Sequence, residues 1–223
     1  MTLSTDIYNR FLSTINSMDT SSNIYIEKAR FVLLFNENAI KWAFNKVKEV
    51  KDSDIVDLQF LLKEPTLLKE EKKTDTYYLY SLPGDYLRWN DMYSVSSKEA
   101  CKNVVIYNVM PKPNNRNVKL SDAYNVPSFE FEHIPVNLSN NHMQVYYSDF
   151  TINGQFLSYY SVPKPIDLAG SILSNGQQSS NIDCDMPDWA ITQILEMCSL
   201  SSFINTGNSA NAQLSALKQT IKN

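Results

Sequence analysis

Glycine is scarce in this chain, with 5 residues in 223, while asparagine occurs 23 times. Asparagine tolerates the left-handed backbone region better than most residues, so pairs such as Asn114-Asn115 and Asn140-Asn141 are expected at turn positions that glycine usually fills. Cysteine is rarer still. Cys101, Cys184 and Cys198 are odd in number and lack CxxC spacing, so they suggest neither a disulfide framework nor a zinc site, and reduced thiols of a cytosolic fold are expected. The longest apolar run, FVLLF, is far too short to span a bilayer, and MTLSTDIYNRF carries an acid where a signal peptide would carry basic residues. No membrane partner is expected. There is no GxxxxGK[ST] loop, no GxSxG elbow and no HExxH, so the commonest enzyme signatures are missing. Positive charge is also in short supply. A net charge of -4, a pI near 5.2 and only 4 Arg beside 16 Lys argue against a surface that grips a phosphate backbone.

What is present suits one domain or one domain with an elaborated insertion. A chain this long, 43% hydrophobic, buries roughly 70 to 75% of its unfolded surface. Ser4 is placed to cap a first helix over about 5–17, with Ile7, Phe11 and Ile15 on one side and Tyr8 and Leu12 beside them. A second helix spans about 27–49, with Val32, Phe35, Ala39, Ala43 and Val47 on one face and Phe31, Leu34 and Trp42 widening it. IVDLQFLLKEP reads as a short third helix ended by Pro65.

From residue 67 the period changes. YYLYSLP, NVVIYNV, FEFEHIPVNL, HMQVYYSDF and QFLSYYSVP are short β-branched or aromatic runs parted by Asn, Pro and Asp, the pattern of a mainly antiparallel sheet. In FEFEHI, alternation sets Phe129, Phe131 and His133 on one face and Glu130 and Glu132 on the other, and SNNH supplies a tight turn into the next strand. GSILSNGQQSSNID, residues 170–183, is a polar linker to a closing helix. Asp185, Pro187 and Asp188 mark that helix's start, and Ile191, Ile194, Leu195 and Cys198 form its core stripe. Trp189, Met197 and Leu200 extend the apolar arc beyond that stripe. The resulting fold class is α+β: helices from both chain ends packed together, with a mainly antiparallel β insertion between them. Residues 1–66 form an N-terminal helical region, 67–169 a β-rich insertion, 170–203 a linker and closing helix that packs on the N-terminal helices, and 204–223 a tail. In the tail, Leu214, Leu217 and Ile221 recur at i, i+3 and i+7, the spacing of a short amphipathic helix that needs a partner to fold.

Few residues suggest chemistry. His133 and His142 are placed to face each other across a hairpin, where cross-strand packing is favoured over a shared metal. Asp183, Asp185 and Asp188 resemble a carboxylate cluster, but their position at a helix start favours capping over metal binding. Glu70, Glu71, Lys72 and Lys73 read as a solvated turn. Thirteen tyrosines, concentrated in the strands, suit a core more than a contact surface for carbohydrate or protein. No catalytic residue, cofactor or metal is assigned.

Five stretches taken together carry a resemblance: ARFVLLFNENAIKWAF (29–44), TYYLYSLPGDYLRW (76–89), RNVKLSDAYNVPSFEFE (116–132), MQVYYSDFTINGQFLSYYSVPKPIDLAG (143–170) and the DxxLPD-like DCDMPDW before the last helix. In order and spacing they resemble the head-to-tail connector proteins of tailed bacteriophages, more narrowly the portal-adaptor ring proteins of phages infecting Bacteroidetes, including the crAss-like group. The sequence departs from that pattern at Met186, which stands for Leu, and in AITQILEMCSLSSF, which has one acid and no base. The resemblance implies a non-enzymatic virion protein of the head-tail junction, made in the host bacterial cytoplasm. It implies a ring, usually a homododecamer, beneath the portal protein and above the next tail or ring protein, with double-stranded DNA passing through without specific binding. A closed ring needs unlike surfaces on the two sides of each subunit, so the widened apolar arcs at Phe31, Leu34, Trp42, Trp189, Met197 and Leu200, with Leu214, Leu217 and Ile221 of the tail, are the expected subunit or portal interface. The alternatives are a tail-associated binding module whose Tyr-rich β region contacts glycan or protein, and a metal-dependent enzyme built on the aspartates or the two histidines.

Overall fold

The computed structural model describes residues 2–18, 25–49, 58–110, 126–139, 141–170 and 178–205. The chain forms two compact units, one from residues 1–55 and 163–223, the other from 56–162. The β-rich region therefore begins earlier than residue 67 and ends before 169, because the run through Pro163 to Gly170 belongs with the helices.

In the helical unit, α1 (Ser4–Met18) and α2 (Lys28–Glu49) agree with the apolar periods. Ile7, Phe11 and Ile15 of α1 and Phe31, Phe35, Ala39, Ala43 and Val47 of α2 are all buried, and the Phe31 ring lies 4.8 Å from that of Phe11 and 5.3 Å from that of Tyr8. The closing helix, α3 (Asp188–Asn205), packs against both α1 and α2 and buries Ile191, Ile194, Leu195 and Cys198 as the stripe requires. Pro187 precedes its first turn and its carbonyl accepts from the N–H groups of Ala190 and Ile191. The segment entering the unit from Pro163 is gripped by one amide: Asn36 Nδ2 donates to the Ile166 carbonyl at 3.0 Å, and the Ile166 N–H donates to Asn36 Oδ1 at 2.9 Å. That two-bond clasp satisfies both backbone groups of a buried residue in a stretch without regular structure.

The second unit contains eight strands: β1 (Leu62–Leu67), β2 (Lys69–Lys73), β3 (Tyr77–Ser81), β4 (Tyr86–Lys98), β5 (Cys101–Val109), β6 (Ile134–Ser139), β7 (His142–Tyr146) and β8 (Thr151–Ser161). Their order is β1-β8-β4-β5-β6-β7-β3-β2, antiparallel except where β5 meets β6. β1 and β2 stand at the two ends of that order, yet only Leu68 separates them in the chain. One continuous run thus pairs first with β8 and then with β3, and the sheet closes into a barrel. Leu68, at the crossing, is buried and donates its N–H to the Gln155 carbonyl. Residues from both halves of the sheet, including Tyr80, Met92, Ile106, Val136, Met143 and Leu157, share one apolar interior.

A polar ring lies within this wall. Ser94 Oγ donates to Gln155 Oε1 at 2.6 Å, Gln155 Nε2 to Asn108 Oδ1 at 2.7 Å, and Asn108 Nδ2 to Ser94 Oγ at 2.8 Å. The three side chains close a cycle in which each donates once and accepts once, so buried Ser94 and Gln155 are satisfied.

Several sequence expectations give way. The third helix through IVDLQFLLKEP is replaced, over its described residues, by one 3-10 turn at 58–61 followed by β1. Pro65 is tolerated because the pairing with β8 shifts register between Lys63 and Thr66, leaving it outside the regular ladder. FEFEHI is not a strand: Ser128 and His133 exchange backbone hydrogen bonds around a four-residue turn, with Glu132 at φ 49°, and β6 begins only at Ile134. Turn closure overrides alternation there. Lys69–Lys73 is an exposed strand rather than a turn. The β6–β7 hairpin forms as expected, with Ser139 opposite His142 and Asn141 at φ 62°. Residues 114, 115 and 140 lie outside the described residues.

Candidate functional site

The residues expected at an interface are placed unequally. Phe31 is fully enclosed by its own helical unit, and Trp42 is only 3% exposed. Neither offers surface to a neighbour, because Tyr8 and Phe11 of α1 pack on Phe31, and Trp189 and Gln193 of α3 on Trp42. Trp42 Nε1 donates to Gln193 Oε1 at 2.8 Å, and its ring lies 5.6 Å from that of Trp189, which is partly open to solvent. Leu34, Met197 and Leu200 are half-buried. Leu214, Leu217 and Ile221 lie outside the described residues. From Ala190 to Ser202, α3 has no exposed residue, so the apolar surplus on this helix is largely covered within its own unit.

The open apolar surface of the helical unit lies elsewhere on α2. Leu33 is 67% exposed and Phe44 54%, with Ile40 exposed between them. They fall at i, i+7 and i+11, one side of the helix, beside the exposed Glu37–Lys41 pair. The FVLLF run and the helical period contained the signal. Phe31 and Trp42, expected to widen the arc outward, occupy the interior, whereas the outward apolar side is carried by Leu33, Ile40 and Phe44, which are not among the residues expected there.

The barrel carries a second apolar face on its outside. Leu67 of β1 pairs with Phe156 of β8, Phe156 with Tyr93 of β4, and Tyr93 with Tyr107 of β5. One lateral row therefore crosses four strands. Tyr93 stacks on Phe156 at 5.0 Å and 11°, and meets Tyr107 edge-on at 6.0 Å. Tyr107 is 64% exposed, and exposed Val105 and Val109 extend the face along β5. Gly154 lies in the same wall, where an added Cβ would come within 3.2 Å of Leu67 Cδ1. The alternation Val105, Tyr107, Val109 is visible in the sequence. That its row continues through Tyr93 and Phe156 depends on pairings between strands far apart in the chain.

The titratable candidates disperse. His142 Nε2 contacts Glu71 Oε2 at 2.9 Å and sits opposite the end of β6, whereas His133 precedes its start. Six strand positions, roughly 20 Å, part them, so they do not face each other. Asp183 serves the N–H of Ser4, Asp185 pairs with Lys164 at 2.6 Å, and Asp188 binds Arg10. Capping is thus real for Asp183, but on α1 and not on the helix it precedes. Ser4 does not act as the cap: its Oγ is buried without a hydrogen-bond partner among the described residues. Among the described residues no three His, Cys, Asp or Glu side chains converge as metal ligands, and no helix is long and apolar enough to cross a membrane. Burial pushes the Cys198 thiol up to about 12 and raises that of Cys184. No protein-family model matches this chain, and no curated protein matches it.

Proposed function

We propose that this chain is a virion structural protein, the subunit of a head-to-tail connector ring of a tailed bacteriophage. The ring, a homododecamer, sits beneath the portal protein, meets the next tail or ring protein below, and lets double-stranded DNA pass without specific binding. The subunit performs no catalysis and binds no cofactor. Its site of action is the head-tail junction of the virion. The resemblance carried by five sequence stretches motivates this reading, and one structural observation supports it best: each compact unit exposes its own apolar face, and the two faces are unlike. Leu33, Ile40 and Phe44 make a narrow helical stripe, while Leu67, Phe156, Tyr93 and Tyr107 make a broad aromatic row. A two-fold dimer needs one self-complementary patch. A closed ring needs two different ones, because each subunit shows a different face to each neighbour.

The test is a mixing experiment read by native mass spectrometry and electron microscopy. Ile40→Asp and Tyr107→Asp each remove one face by placing a charge where an interface would desolvate it. Each variant alone should fold but fail to close a ring, and mixing the two should yield heterodimers joined through the faces left intact. A parent chain that stays monomeric alone and with portal protein, or variants that still form the parent ring, would sink the proposal.

A further inference from the structure

The 128–133 turn borders a cavity of about 770 Å³, within the usual range for a small-molecule site. We propose that this cavity binds a neutral polyhydroxylated ligand of the saccharide class. Phe131, Val126 and Pro127 supply an apolar wall, and Glu130, Asp149 and His133 a polar one. Phe131 stands at the tip of the turn with 86% of its surface open, while its backbone N–H is held by Ser128 Oγ. A large aromatic side chain so exposed at the mouth of a cavity offers a flat face to the C–H side of a pyranose ring.

The polar wall is already oriented. Lys98 Nζ donates to both Glu130 Oε1 and Asp149 Oδ2, Ser128 Oγ reaches Glu130 Oε2 at 3.3 Å, and Ser148 Oγ reaches Asp149 Oδ1 at 3.1 Å. Both carboxylates are thereby aimed and partly neutralised, and with side chains 57% and 62% exposed they remain open to a hydroxyl donor. His133 lines the same wall, and a neutral imidazole both donates and accepts. An anion would meet two carboxylates, and a cation would compete with Lys98. A neutral ligand with several hydroxyls meets acceptors, a donor-acceptor ring and an apolar wall without either conflict.

The test uses the full chain, as free subunit, and does not depend on ring formation. Saturation-transfer NMR is run with the methyl glycosides of glucose, galactose, mannose and N-acetylglucosamine. At least one should receive saturation, with affinity falling roughly three- to tenfold in Phe131→Ala and surviving in Phe131→Trp. His133→Ala should weaken the same signal, so that misfolding of one variant leaves the other to decide. Absence of transfer to all four glycosides, or transfer unchanged in a folded Phe131→Ala or His133→Ala chain, overturns the assignment.

Discussion

The backbone N–H of Ser4 donates to Asp183 Oδ1 at 2.9 Å, so the first turn of α1 is capped by a residue 179 positions away. Thr2 and Cys184 pair beside it through two backbone hydrogen bonds, and Arg10 returns the contact by reaching Asp188 and Thr192 in the first turn of α3. The two ends of the chain thus stabilise each other's helix starts. Asp183→Ala should cost about 1 kcal/mol, the usual worth of an N-terminal cap, while Asp183→Asn retains most of it because the amide oxygen still accepts. Urea denaturation of the three chains checks this; an alanine variant as stable as the parent would show that water replaces the cap at no cost.

The Ser94, Asn108 and Gln155 cycle makes a sharper prediction. Gln155→Leu removes one member and leaves a donor and an acceptor unpaired in the barrel wall. The orphaned hydroxyl of buried Ser94 costs about 1 to 3 kcal/mol and the half-buried Asn108 Oδ1 adds to it, so this variant should lose more stability than Asp183→Ala. The thermal midpoint, measured side by side, decides the order.

Thiol reactivity should divide the three cysteines. Cys101 is exposed, whereas Cys184 and Cys198 are buried, with pKa values raised first by desolvation. Iodoacetamide at neutral pH should alkylate Cys101 in the folded chain and reach the other two only after denaturation. Peptide mass spectrometry reads the sites directly, and early labelling of Cys198 would contradict the packing of α3 against α2.

The Lys98 cluster predicts a pH dependence. Hydrogen bonding to Lys98 holds the Glu130 and Asp149 carboxyls below their ordinary values, and the bonds to Asp149 and Glu130 raise the Lys98 ammonium above its own. For the carboxyls, the stabilisation is complete above their unfolded pKa values, about 4, and is lost as pH falls through the lower folded ones. For Lys98 it is complete below the ordinary lysine value and lost only in stronger alkali. Lys98→Met should therefore reduce the loss of stability between neutral pH and pH of about 3. Urea midpoints at both pH values test this, and an identical acid loss in the variant would show that other carboxyls carry it.

Local chemistry carried much of the architecture. The apolar period of residues 5–17 and 27–49, and Pro187 before the apolar stripe of 191–198, belong to segments whose own turns repeat the buried face, so the three helices were legible from spacing alone. The strands around Tyr78, Ile106, Val145 and Leu157 were legible for the same reason, as was the turn at Asn141. What the sequence left open were relations between distant segments. Pro65 reads as a helix stop, but its place is decided by a register shift against β8, nearly a hundred residues on. FEFEHI alternates like a strand, yet the Ser128–His133 pairing turns it into a loop, and Lys98 and Ser148 help to orient its Glu130 and the neighbouring Asp149. Barrel closure at Leu68 joins edges that no local pattern connects. The aromatic row through Leu67, Phe156, Tyr93 and Tyr107 and the cavity at Phe131 arise from such pairings. Side-chain period fixes which face of its own segment a residue occupies, but which residues of other segments share that face is a matter of register, and register is set only when the whole sheet forms.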